Sequence, residues 1–96
     1  MMILITYDVN IVSESGAKRL RHIAKECQNY GQRVQNSVFE CILNEAEFVI
    51  LRSKIASIID KDLDNVRFYF LGNNWKRRVE FIGKSTSIDV TSELII

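Results

Sequence analysis

The chain predicts an α+β domain: two helices packed on one face of an antiparallel sheet, in the order β-α-β-β-α-β with one further strand near the C-terminal end. Three observations carry that prediction. Apolar, β-branched or aromatic runs of strand length occur at MILITYD, at RVQNSVFECIL around a polar break, at RFYFLG and at VEFIG. Between them lie two segments whose apolar residues recur at helical spacing. No proline, internal repeat or linker separates these runs, so the pattern belongs to one unit.

The continuous apolar character of Met2 to Thr6 predicts a central first strand buried on both faces. Ser13-Glu14-Ser15-Gly16 then supplies N-cap candidates and a first-turn acid. Ala17, Leu20, Ile23, Ala24 and Cys27 follow at spacings of three and four, which hides the Leu20-Ile23-Cys27 stripe. Lys18, Arg21, His22 and Lys25 turn outward, Arg19 lies near the boundary, and Gly31 fits a C-terminal stop. In the next segment Gln35-Asn36-Ser37 suits a tight turn; beyond it Phe39, Cys41 and Leu43 share one face and Val38, Glu40 and Ile42 the other. A second helix starts with Asn44 or Glu45 near its cap and buries Phe48, Leu51, Ile55, Ile58 and Ile59, before Asp60 to Asp64 end it in a polar turn. RFYFLG and VEFIG complete the set, with Gly72-Asn73-Asn74 as the turn between them. This is the ferredoxin-like plan. The last strand has no place in its four-stranded sheet, so an edge strand of a twin molecule is its expected partner.

A chain of 96 residues suits a single domain, residues 1–96, with residues 78–96 as C-terminal strand and tail at a dimer or partner interface. Chains this small bury only about 60 to 65% of their unfolded surface, which favours self-association. A net charge of +1 excludes bulk polyelectrolyte attraction to nucleic acid or membrane. The charges are segregated, however: Lys18, Arg19, Arg21, Lys25 and Arg33 form one basic cluster and Lys76, Arg77 and Arg78 another, with most acids between them. The start MMILITYD has no basic n-region and reaches Asp8 at once, so a cytoplasmic location is expected, with no membrane partner. Cys27 and Cys41 lack metal-ligand spacing, and His22 is the single histidine, so buried reduced thiols are expected rather than a zinc site or disulfide.

Several stretches carry a more specific signal. TYDV at the end of the first strand, RLRHIAKECQNYGQRVQNSVFEC, and RFYFLGNNWKRRVEFIG resemble, in order and spacing over nearly the whole chain, the small CRISPR-associated endonuclease of the spacer-acquisition complex, Cas family member two. They look most like its subtype I-C branch. The resemblance implies a prokaryotic ferredoxin-like homodimer in which each C-terminal strand pairs across to the other subunit. It implies Mg²⁺-dependent phosphodiester cleavage, with Mn²⁺ as a substitute, of double-stranded DNA or RNA, and docking onto the integrase subunit. By position it implies Asp8 as metal ligand and catalytic acid-bearing residue, with Tyr7, Arg19 or Arg21, Arg33 and Phe39 matching the family's phosphate-side positions.

The chemistry agrees with that assignment. Phosphodiester cleavage needs an activated water and relief of negative charge, and Mg²⁺ held by one or two carboxylates supplies both. One Asp8 per subunit becomes workable when a dyad brings two together. Taken alone, Asp8 also suits a turn residue accepting backbone N–H groups, and Tyr7, alternating with it, suits packing with its hydroxyl bonded. Phe39 and the Phe68-Tyr69-Phe70 run suit the core, His22 suits a solvent-facing position, and Trp75 is expected at the subunit boundary. Lys76, Arg77 and Arg78 join the helix arginines as expected nucleic-acid contacts, largely independent of base sequence. Two further classes stand beside the nuclease: a non-catalytic DNA-binding scaffold bridging integrase subunits, with the tail from Ser85 to Ile96 as docking strand, and a small-ligand module, for which no glycine-rich loop or polar pocket is visible.

Overall fold

The structure, a computed structural model, describes residues 1–72 and 78–84, the last segment without the side chain of residue 78. The expectations for Trp75, Lys76, Arg77, the Arg78 side chain and the tail from Ser85 lie outside the described residues. The elements are β1 (Met2–Asp8), α1 (Glu14–Gln28), β2 (Gly31–Gln35), β3 (Val38–Ile42), α2 (Glu45–Ile58), β4 (Asn65–Leu71) and β5 (Arg78–Gly83). They form one five-stranded antiparallel sheet in the order β2-β3-β1-β4-β5, the ferredoxin-like arrangement extended by one strand.

Local signals account for the helix ends. Ser13 accepts a hydrogen bond from the Gly16 N–H at 3.2 Å and so caps α1, with Glu14 in the first turn where the helix dipole favours an acid. Asn44 caps α2 through a reciprocal box: its side chain accepts from the Glu47 N–H at 2.8 Å, while Glu47 accepts from the Asn44 N–H at 2.9 Å. Gly31 does not stop α1, which ends at Gln28 with Asn29 as its C-cap. It opens β2 instead, where a Cβ would fall 2.0 Å from the Glu40 carbonyl oxygen, so the glycine permits close strand pairing.

The core lies between the helices and one face of the sheet. Ile3, Ile5 and Tyr7 from β1, Phe39 and Cys41 from β3, and Val66 and Phe68 from β4 meet Ile23 and Cys27 of α1 and Phe48, Leu51 and Ile55 of α2. Phe48 packs edge-on against Phe68 and Phe70, with ring centroids 5.5 and 4.9 Å apart. Cys27 and Cys41 are buried and free, as their spacing predicts.

Two expectations are corrected here. β1 is central but not buried on both faces; its burial alternates, because both helices lie on the Ile3-Ile5-Tyr7 side. The opposite face carries Leu4 and Thr6 half-buried and Met2, Ile42, Leu71 and Phe81 exposed. The last strand, expected to pair across a dimer, pairs antiparallel with β4 of the same chain, with Arg67 opposite Phe81 and Val66 opposite Ile82. Its alternation explains the seat: Ile82 extends the buried face, 9% exposed, and Glu80 meets Arg52 of α2 at 3.1 Å.

Candidate functional site

The sheet separates residues that the sequence places together. Tyr7 and Asp8 are consecutive on β1 and therefore face opposite ways. Tyr7 points to the helix side, 4% exposed, stacks against Phe39 with centroids 6.1 Å apart, and donates its hydroxyl hydrogen to the Asn36 carbonyl at 3.4 Å. Burial holds the phenol above its ordinary pKa, against the opposing effect of the nearby Arg33 guanidinium. Arg33, exposed on β2, lies over the Phe39 ring at 5.3 Å. Both rings are therefore buried in the packing positions that suited Tyr7 and Phe39, rather than presented to solvent as the nucleic-acid contacts the resemblance implied.

Asp8 faces the uncovered side. It is exposed at the tip of the central strand, opposite Asn65 of β4, and among the described residues its carboxylate has no hydrogen-bond or ion-pair partner. The turn-residue alternative, a carboxylate accepting backbone N–H groups, is therefore not what Asp8 does. Asp8 lines an open depression of about 310 Å³ together with Thr6, Tyr7, Ser37, Val38, Asn65 and Arg67. Thr6, Asp8, Asn65 and Arg67 lie on one face by register, since Thr6 pairs with both Val38 and Arg67. The lining is rich in hard oxygen donors beside one arginine, a donor set that suits Mg²⁺ rather than a soft metal. No cluster of three or more His, Cys, Asp or Glu side chains occurs among the described residues, and Asp8 is the one carboxylate among the described residues that line this depression. Sequence reasoning missed Arg67, Asn65 and Ser37; period-two alternation from Asp8 onto its neighbouring strands would have found Arg67 once the pairing register was known.

The backbone-holding role falls to a different acid. Asp64, in the turn expected to be merely polar, is fully buried at the start of β4. Its Oδ2 accepts from Arg19 Nε at 2.7 Å and from the Asp60 N–H at 2.9 Å; its Oδ1 accepts from Arg19 Nη2 at 3.2 Å and from the Asn10 N–H at 3.0 Å. Burial pushes its pKa up, but the Arg19 guanidinium and the two backbone donors outweigh it and hold the carboxyl below the usual range. Arg19, expected on the phosphate surface, is drawn inward by this pairing, its side chain 14% exposed. Arg21 and His22 are exposed on α1 as expected.

A larger depression of about 500 Å³ lies on the helix side, lined by Glu45, Phe48, Val49, Arg52, Ser53, Ala56 and Glu80. It is on the opposite side of the sheet from Asp8, and its Arg52 and Glu80 pair with each other at 3.1 Å.

Fold and site together define a class: a small ferredoxin-like domain with an uncovered sheet face and a lone carboxylate at the tip of its central strand. A family model described as CRISPR associated protein Cas2 matches residues 1–79, and the chain belongs to that family. It is 55% identical over 95 residues to the CRISPR-associated endonuclease Cas2 of Halalkalibacterium halodurans, covering 99% of each chain. It is 54% identical over 96 residues to the CRISPR-associated endoribonuclease Cas2 of Chlorobaculum tepidum, covering 100% of each. The crystal structure of Streptococcus pyogenes Cas2 at pH 6.5 superposes with a TM-score of 0.73 at 59% identity, over 78% of this chain and 90% of that one. No helix among the described residues is long and apolar enough to cross a membrane.

Proposed function

We propose that the chain acts as a homodimeric, Mg²⁺-dependent endonuclease, with double-stranded DNA as preferred substrate and RNA as second candidate, and takes part in CRISPR spacer acquisition beside the integrase subunit. The observation that carries this reading is the exposed, unpartnered Asp8 carboxylate in a depression it shares with Arg67. The names of the similar proteins, an endonuclease and an endoribonuclease, support the reaction class.

Asp8 would hold the metal, with Mn²⁺ able to replace Mg²⁺. When bound, the ion supplies a water acidic enough to attack at neutral pH and relieves charge on the phosphoryl oxygens. Arg67 lines the same depression, where its guanidinium can take a phosphate oxygen; Arg33 and Arg21 are exposed cations on β2 and α1, Arg33 on the helix side beside Phe39, available for further backbone contacts. The uncovered face supports the homodimer: Met2, Ile42, Leu71 and Phe81 are 36 to 69% exposed there, and a twofold pairing of this face would bring two Asp8 tips toward one cavity.

Asp8→Asn and Asp8→Ala test the assignment. Both variants are expected to keep wild-type folding and melting temperature and to lose Mg²⁺-dependent cleavage of a duplex; full cleavage by a highly purified variant overturns Asp8 as the ligand. The sparse ligand set favours a second reading, a scaffold that clamps duplex DNA and bridges integrase subunits without cleaving. Spacer acquisition by an Asp8→Ala strain separates them: retention favours the scaffold, loss favours the chemistry.

A further inference from the structure

We infer that Arg19 and Asp64 are a positioning pair for Asp8, fixing the strand end that presents the metal ligand, and that Arg19 does this instead of contacting phosphate; the inference rests on the reading of Asp8 as metal ligand.

The geometry is that of a junction. Asp64 uses both oxygens twice, on Arg19 Nε and Nη2 and on the Asn10 and Asp60 backbone N–H groups. Arg19 Nη2 also reaches the Asn10 carbonyl at 3.4 Å, and Nη1 reaches Ser15 Oγ at 3.2 Å. Both polar groups of the Asn10 peptide positions are therefore held by the pair, two residues beyond Asp8. On the neighbouring strand, Asn65 follows Asp64 directly and is the residue opposite Asp8. The Asp64 carbonyl in turn accepts from the Lys84 N–H at 2.7 Å, joining the end of β5 to the same point. Of the three strands that line the depression, β1 and β4 are thus pinned where Asp8 emerges.

Stability alone does not account for this arrangement. Burying an ion pair costs desolvation, and well-packed apolar residues of similar volume are often as stable or more so. What a bidentate, four-bond carboxylate adds is direction. A site with one carboxylate per chain has no spare ligand to absorb a misplaced one, and metal–oxygen geometry tolerates only about 0.2 Å. Arg19 has each of its three nitrogens engaged within the chain and a side chain only 14% exposed, which leaves little guanidinium for a phosphate.

The test compares Arg19→Lys, Arg19→Gln, Asp64→Asn and Asp8→Asn, each checked by circular dichroism and assayed well below its melting temperature. Mn²⁺ affinity is measured calorimetrically on protein alone, and binding to a duplex is followed against salt. Positioning predicts a fall of about 10- to 100-fold in Mn²⁺ affinity for Arg19→Lys and Asp64→Asn, with duplex affinity and salt slope at wild-type values for Arg19→Gln. Wild-type Mn²⁺ affinity in these variants, or a slope shallower by about 0.9 per chain in Arg19→Gln, overturns the inference. If Asp64→Asn does not fold, Arg19→Lys decides, because it leaves both backbone bonds of Asp64 in place. Loss of Mn²⁺ binding in Asp8→Asn alone would leave the proposed function standing without the positioning pair; wild-type Mn²⁺ affinity in Asp8→Asn brings down both.

Discussion

Asp8 and Asp64 show how little residue type says about role. Both lie at a strand boundary in a polar context, yet one carboxylate is exposed without a partner and the other is buried under four hydrogen bonds. The difference is tertiary: Arg19, 45 residues from Asp64, supplies the charge that makes burial tolerable. That contact was not legible in the sequence, where Asp60 to Asp64 read as a solvated turn and Arg19 as a surface cation. The place of Asp8 at the end of the first strand was legible, because the apolar run of β1 gives way to polar residues there. Asp64 has a folded pKa below its unfolded value near 4, so its stabilisation is present above that value and is lost as pH falls through the folded one. Denaturant midpoints measured from pH 6 downward should fall below about pH 4 for the wild type, and Asp64→Asn should flatten that dependence. The thiols act at the other end of the scale. Burial pushes Cys27 up to about 12 and Cys41 up to about 11, so both stay protonated in the fold while the unfolded chain ionises from about 8.5. Their stabilisation is complete below about pH 8.5 and is lost as pH rises toward those folded values, and neither should react with a thiol reagent at pH 8 until the protein is denatured.

At the scale of elements, the caps and stripes were readable because they are local. Ser13 and Asn44 cap where their residue types and the following helical periods predict. Asn44→Ala removes one half of a capping box and should cost about 1 kcal/mol in urea denaturation, with the slope against urea unchanged. Phe48→Ala, which empties the contact with Phe68 and Phe70, should cost about 3 to 5 kcal/mol. What misled was glycine and apolarity without their neighbours. Gly31 after an apolar stripe reads as a helix stop, but the tight approach of Glu40 is what demands it. Gly16 is another such position: inside α1, a Cβ there would lie 1.9 Å from the Asn10 carbonyl oxygen. Gly16→Ala, ordinarily favourable in a helix, should therefore destabilise and loosen the very loop that Arg19 and Asp64 hold. The continuous apolar run of β1 read as buried twice over, although the predicted plan, with both helices on one face, already leaves the other face of a central strand without helical cover.

At the scale of the molecule, that one-sided coverage has the largest consequence. The bare face mixes exposed Met2, Ile42, Leu71 and Phe81 with the Asp8 and Arg67 tip, so the surface that would drive pairing of two copies borders the surface that would do chemistry. If dimerisation assembles the nucleic-acid interface, breaking it should change the charge count seen by DNA as well as the mass. A dimer making ~8 phosphate contacts gives a slope of log affinity against log salt near −7, and a monomer with ~4 gives about −3.6. Ile42→Glu with Phe81→Glu places two carboxylates on the exposed apolar face without touching the buried core. The variant is expected to sediment as a folded monomer, to bind duplex with roughly half the wild-type salt slope, and to lose cleavage because a lone Asp8 faces solvent. A double variant that is monomeric yet keeps the full slope and full cleavage would place both binding and chemistry within one chain. The sheet face would then be an oligomer contact with no part in the site.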